Sequence, residues 1–84
     1  MQKVKEISRE LLRSNPLLWL KYGDRVAFKT DDDIWAESKT WEPHGTVHSI
    51  YEQEGDWYVD VCADGKKVNP FNVNNYCSVV LFAQ

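Results

Sequence analysis

The chain predicts a mainly β fold, a small five-stranded antiparallel barrel preceded by an amphipathic α-helix. Three observations predict it. From Arg25 onward, short stretches alternate apolar and polar residues. Turn signals, Glu54-Gly55-Asp56 and Asp64-Gly65, separate those stretches. The length of 84 residues leaves room for one domain with a small core, and four Trp, four Tyr and three Phe supply the buried area such a core needs.

The first segment has a different period. Val4, Ile7, Leu11 and Leu12 recur at helical spacing, with charged residues between them. Pro16 disfavours helical backbone at Asn15, so the helix stops near Ser14. Pro16 then opens a second short turn through Leu17, Leu18, Trp19 and Leu20, which Gly23 ends. Residues 1–22 form this helix and apolar hook; residues 23–84 form the barrel.

In the barrel, Arg25 to Lys29 alternates as the first strand. The acidic segment from Thr30 to Gly45 is long for a connection in so small a domain. Thr46 to Glu52 is the second strand and Trp57 to Cys62 the third. Asp64-Gly65 is a hairpin turn leading to a fourth strand, Lys66 to Val68, which Pro70 stops because it cannot donate to a ladder. Asn72 to Tyr76 reads as one tight turn, and Val79 to Phe82 closes the barrel. Five short strands, a long first loop and a turn before the last strand describe the SH3-like type.

Charge is divided along the chain. Residues 1–29 carry a net +4 and residues 30–84 a net −7, for −3 in all. The plain interpretation is a basic arm lying against an acidic body; the other is that the acidic body attracts a basic partner and repels nucleic acid. Cys62 and Cys77 are too few for a disulfide framework. The start shows no signal-peptide pattern, and apolar runs such as Leu17 to Leu20 are far too short to span a bilayer. A cytoplasmic protein with free thiols is expected.

No catalytic constellation stands out. His44 and His48 share a face of a strand, but without a second ligand pair they read as surface histidines. Asp31, Asp32 and Asp33 lack the glycine and distal glutamate of a calcium loop. No nucleophile–base motif or phosphate-cradling glycine loop is present, so neither enzyme activity, a cofactor nor a metal is expected. A nucleic-acid binder using Arg9, Arg13, Lys66 and Lys67 ranks lower, because the residues between the aromatics are mostly acidic.

The segment KVNPFNVNNY, Lys67 to Tyr76, holds four asparagines in ten residues. Asparagine tolerates left-handed backbone and bonds its own neighbours, so Asn69, Asn72, Asn74 and Asn75 can fold a compact turn while Phe71, Val73 and Tyr76 plug the barrel end. The same segment carries a resemblance. Gly23-Asp24-Arg25-Val26, Gly45-Thr46-Val47 with Ile50, Lys67-Val68-Asn69 and Asn74-Asn75-Tyr76 occur in the order seen in the photosystem I reaction-centre subunit IV (PsaE) family. That resemblance implies an SH3-like barrel that helps a protein partner dock and has no catalysis of its own. The helix before Tyr22 and the long acidic loop are not features of that family.

The GDRV start is also similar to that of the plasmid-encoded type II dihydrofolate reductases, small barrels whose four subunits line one pore with a Val-Gln-Ile-Tyr segment. Val68-Asn69-Pro70-Phe71 stands in the similar place. Its shorter amide, missing backbone donor and missing hydroxyl argue against reductase activity.

The function expected is a non-enzymatic protein-binding or accessory module, with oligomers of the chain allowed. Its surface would join Asp31, Asp32, Asp33, Trp35 and Trp41 of the acidic loop to Asn69, Phe71 and Asn72. The tryptophans and Phe71 would anchor the partner, the asparagines would bond it and the aspartates would steer it.

Overall fold

Strand pairing organises the chain. The computed structural model describes residues 2–31, 42–63, 65 and 67–83. Their strands are β1 (Lys3–Ser8), β2 (Arg25–Lys29), β3 (Gly45–Gln53), β4 (Asp56–Cys62), β5 (Val68–Asn72) and β6 (Ser78–Phe82), with one α-helix, α1 (Arg9–Ser14). All six strands join one antiparallel sheet in the order β1-β6-β2-β3-β4-β5. The fold is mainly β, as expected, but it has six strands rather than five. It is also not a barrel closed by pairing, because β1 and β5 are the two ends of the sheet order.

The extra strand replaces most of the expected helix. Residues from Lys3 to Ser8 pair with β6, from Lys3↔Phe82 to Ser8↔Ser78. A helix would have put Val4 and Ile7 on one buried face. Instead Ile7 is fully buried while Val4 is 66% exposed. A short isolated helix is marginal in water, whereas the β6 edge offers a ladder of backbone partners. The helix survives only beyond Ser8, whose side chain accepts from the Leu11 backbone N–H at 3.4 Å and caps α1.

Helix α1 ends at Asn15, which has extended backbone before Pro16. A one-turn 3-10 helix, Pro16–Leu18, follows at once, capped by Asn15 Oδ1 accepting from Leu17 N at 3.1 Å. Gly23, at φ +93°, turns the chain into β2.

The expected fourth strand lies further along the chain. Strand β5 runs through Pro70 rather than stopping before it. As an edge strand, β5 has one side free of ladder partners, where a missing N–H costs nothing. The tight turn before the last strand is a 3-10 turn, Val73–Asn75, capped by Asn72 Oδ1 accepting from Asn74 N at 2.9 Å.

The main core gathers Ile7, Leu12, Leu20, Val26, Phe28, Val47, Val59, Val61, Val73 and Val79. A smaller cluster, Ala27, Val80 and Phe82, lies at the β2–β6 pairing, where Ala27 and Val80 are register partners. The sheet must curl strongly around the main core. Strands β2 and β5 are three steps apart in the sheet, roughly 14 Å if it were flat. Yet the rings of Phe28 and Phe71 stack with centroids 4.6 Å apart.

Candidate functional site

The curl creates an aromatic row at the open side of the sheet. Phe71 on β5 sits at its centre. One face meets buried Phe28, and Tyr76 lies 5.4 Å away and His44 5.7 Å away, the latter nearly parallel at 12°. Tyr76 also meets Phe28 edge-on at 5.2 Å. Exposure rises along the row: Phe28 is buried, Phe71 and Tyr76 are half-buried, and His44 is exposed. Such offset and edge-to-face contacts add to the area they bury, so the row is rigid.

His44 is held by the backbone. Its N–H donates to Val26 O at 2.7 Å, and its ring Nδ1 accepts from the Phe28 N–H at 3.0 Å. The ring therefore supplies the acceptor that β2 lacks once its register with β3 ends at Val26↔Gly45. Nδ1 as acceptor leaves the proton of the neutral ring on Nε2. A cleft of about 260 Å³ opens beside His44, lined by Arg25, Glu42, Pro43, Gly45, Thr46 and Ala63.

Two exposed acidic residues lie close to the row along the chain. Glu42 lies two residues before His44 and lines the same cleft. Cys77 follows Tyr76; its N–H donates to Lys29 O at 2.7 Å and its thiol to Thr30 O at 3.3 Å. Asp31, exposed, is the next residue beyond Thr30. The expected site residues Asp32, Asp33, Trp35 and Trp41 lie outside the described residues.

The structure separates the three site residues expected on β5. Asn69 is opposite Val61 and Phe71 opposite Val59, so both share the face that carries the core. Phe71 is half-buried within the aromatic row, while Asn69 is exposed on the same face of β5. Asn72 is opposite Tyr58 and faces the other way. There its amide donates to Asp56 Oδ2 at 3.1 Å, and the Asn74 amide donates to Asp56 Oδ1 at 3.0 Å. Both asparagines therefore serve the turn.

The opposite face of β3 and β4 carries a second polar cluster. Tyr51 and Tyr58 stack across the strands at 5.6 Å, and Asp60 accepts from Tyr51 Oη and Ser49 Oγ, each at 3.0 Å. Desolvation pushes the Tyr51 phenol above its ordinary pKa, and the Asp60 carboxylate adds to the effect. Tyr51 thus remains a hydroxyl donor.

His44 as the acceptor for Phe28 was not visible in the sequence. The signal that existed was its position directly before Gly45, beside a strand with few ladder partners. His48 is exposed and its ring lies 6.3 Å from Tyr22. Among the described residues no three His, Cys, Asp or Glu gather as metal ligands, and both cysteines are free thiols. No helix among them is long and apolar enough to cross a membrane. No family model, curated protein or solved structure matches the chain.

Proposed function

We propose that the chain is a non-enzymatic protein-binding module of SH3-like type, and that it grips a basic peptide segment along the aromatic row. The order β6-β2-β3-β4-β5, with a 3-10 turn before the last of these in sequence, supports the SH3-like reading. Strand β1 is then an addition at one edge. The observation that carries the function is the row itself: half-buried Phe71 in contact with half-buried Tyr76 and with exposed His44, with the exposed carboxylates Asp31 and Glu42 close to these residues along the chain. Rigid aromatic surface lets a partner dock at little entropic cost, and flanking carboxylates favour a cationic one. Asn69, exposed on the same face as Phe71, supplies an adaptable amide at the rim.

An array of synthetic peptides probed with the full chain tests this. Peptides that combine arginine or lysine with an apolar side chain are expected to be retained. The doubly neutralised variant D31N/E42Q should lose about tenfold in affinity for them while keeping its melting temperature. Equal retention of acidic and basic peptides would sink the proposal. So would binding to an oligonucleotide that weakens steeply with salt, since that is the mark of phosphate contacts. An assay for oxidation of NADPH by dihydrofolate checks the reductase-like alternative, and no turnover is expected.

A further inference from the structure

His44 is fastened to β2 at two points. Its backbone N–H donates to Val26 O at 2.7 Å, and its ring Nδ1 accepts from the Phe28 N–H at 3.0 Å. The ladder between β2 and β3 reaches only Val26↔Gly45, so beyond it the imidazole takes the place of a strand. On its other edge β2 pairs with β6, Phe28 with Val79. Phe28 is only 1% exposed, so its N–H meets the ring in a place from which water is largely excluded.

A proton on His44 removes this acceptor. Nε2 already carries the hydrogen of the neutral ring, so an added proton goes to Nδ1. Two N–H donors would then face each other across the former bond. A buried donor without an acceptor is costly, so the charged ring must leave its place. Leaving also breaks its near-parallel contact with Phe71, at 5.7 Å and 12°. Among the described residues, the charged side chains beside the ring are Arg25 of β2 and Glu42, which line the same cleft. Tyr76 is the titratable ring that meets Phe71, and β5 carries no charge from Val68 to Asn72. Arg25 opposes a charge on His44 and Glu42 favours one. Such partly solvated pairs are weak beside the loss of a buried acceptor.

We propose that His44 is a proton-sensitive latch on the aromatic row. Neutral, it holds the row against β2; protonated, it swings away, and the grip on a basic peptide weakens. Histidine ordinarily changes charge near pH 6.5, so the latch works between about pH 7.5 and about pH 5. The bond to Phe28 is present at the neutral end of that range and is lost as the ring takes its proton. A cationic ring also repels a cationic peptide, so both effects run in the same direction. The latch stands on the two bonds to β2 alone; its control of peptide binding rests on the proposed function.

Nuclear magnetic resonance on the isotope-labelled full chain tests the latch without any ligand. The chain has two histidines, and His48→Gln assigns their ring signals. At neutral pH, long-range proton–nitrogen spectra should show His44 as the Nε2–H tautomer. As His44 titrates, hydrogen exchange at the Phe28 amide, corrected for its intrinsic rate, should lose about tenfold in protection. His44→Asn puts a carbonyl acceptor near the place of Nδ1 and does not titrate, so its Phe28 protection should stay level. A labelled synthetic peptide alternating arginine and leucine should bind the parent about tenfold more weakly at the acid end, and His44→Asn equally at both ends. Unchanged Phe28 protection while His44 titrates overturns the latch. So does an Nδ1–H tautomer at neutral pH, or an equal loss of protection in His44→Asn. Lost protection with unchanged peptide affinity overturns the control of binding. A chain that binds the peptide at neither pH fails the proposed function, and with it that control, while the Phe28 measurement still decides the latch.

Discussion

Glu6 and Lys29 meet at 3.2 Å across an intervening strand. Glu6 is on β1 and Lys29 on β2, and β6 lies between them in the sheet. The same Glu6 oxygen accepts from Ser78 Oγ on β6 at 2.8 Å, and the other oxygen accepts from Lys3 Nζ at 2.7 Å. One carboxylate thus ties together three strands. The Lys29 side chain is only 11% exposed, so removing Glu6 would take a charged partner from a largely buried ammonium.

This clasp predicts acid sensitivity. Partial burial pushes the Glu6 carboxyl up, but the hydrogen bonds from Lys3, Ser78 and Lys29 and the Lys29 charge outweigh it, lowering the pKa to about 2 from 4.5. A carboxyl with a depressed folded pKa stabilises the fold above its unfolded value, and that contribution disappears as pH falls through the folded value. Stability should therefore decline between about pH 4.5 and pH 2. The pair is partly solvated, so its net contribution is about 1 kcal/mol rather than the full value the shift would imply. Glu6→Gln should lower the melting temperature at neutral pH and flatten the decline. Thermal unfolding across that pH range checks it, and an unchanged acid slope in Glu6→Gln would remove Glu6 as the cause.

Glu6 also shows where the sequence was legible and where it was not. The alternations of β3 and β4 were plain, because each places one face on the main core and period two survives in the residue types, whereas β2 and β6 bury both faces, Val26, Phe28 and Val79 in the main core and Ala27, Val80 and Phe82 in the smaller cluster. Strand β1 was not. Val4, Ile7, Leu11 and Leu12 fit a helix, and what decides otherwise is an open β6 edge nearly eighty residues away. Pro70 misled for a related reason: it forbids a central strand, and only the sheet order reveals β5 as an edge. In the candidate site, the value of Phe71 as an aromatic was legible. Its stacking on Phe28 depends on the curl of the whole sheet, which no local pattern encodes.

The β3–β4 hairpin carries a local strain that can be relieved. Glu54 at φ +54° and Gly55 at φ +85° form its two-residue turn. Both positions of such a turn want positive φ, which asparagine tolerates better than glutamate. Glu54 makes no side-chain bond among the described residues and is exposed. Glu54→Asn should stabilise by about 0.5–1 kcal/mol. That corresponds to a rise of several degrees in melting temperature, at about 4–8 °C per kcal/mol for a chain of this size. A fall in melting temperature would show that Glu54 holds something its φ conceals.

Gly45 stands at the opposite extreme. A Cβ there would lie 2.5 Å from the Cys62 carbonyl oxygen, 2.7 Å from its carbon and 2.8 Å from Val61 Cγ1. Two of these neighbours are backbone atoms of the paired strand β4, which cannot swing aside. Its φ of +157° adds to the restriction. Gly45→Ala should destabilise by about 3 kcal/mol or more, well beyond an ordinary surface change. Urea denaturation measures this. A cost within about 0.5 kcal/mol would mean that β3 and β4 can separate locally without penalty.

The four asparagines of the Lys67–Tyr76 segment should divide by role. Asn72 caps the 3-10 turn and donates to Asp56, and Asn74 donates to the same carboxylate. Asn75 is exposed with no side-chain bond among the described residues, and Asn69 is exposed at the aromatic row. Asn72→Ala loses a cap and a charge-assisted bond together and should cost about 1–2 kcal/mol. Asn75→Ala should stay within about 0.5 kcal/mol of the parent. Because Asn72 and Asp56 share one network, the double variant N72A/D56A should cost less than the two single changes added, by about 0.5–1 kcal/mol. Asn69→Ala should leave stability alone and weaken only the basic peptides. Additive costs at Asn72 and Asp56 would show that the bond between them contributes nothing to folding. The asparagine-rich turn would then owe its shape to Val73 and Phe71 packing beneath it.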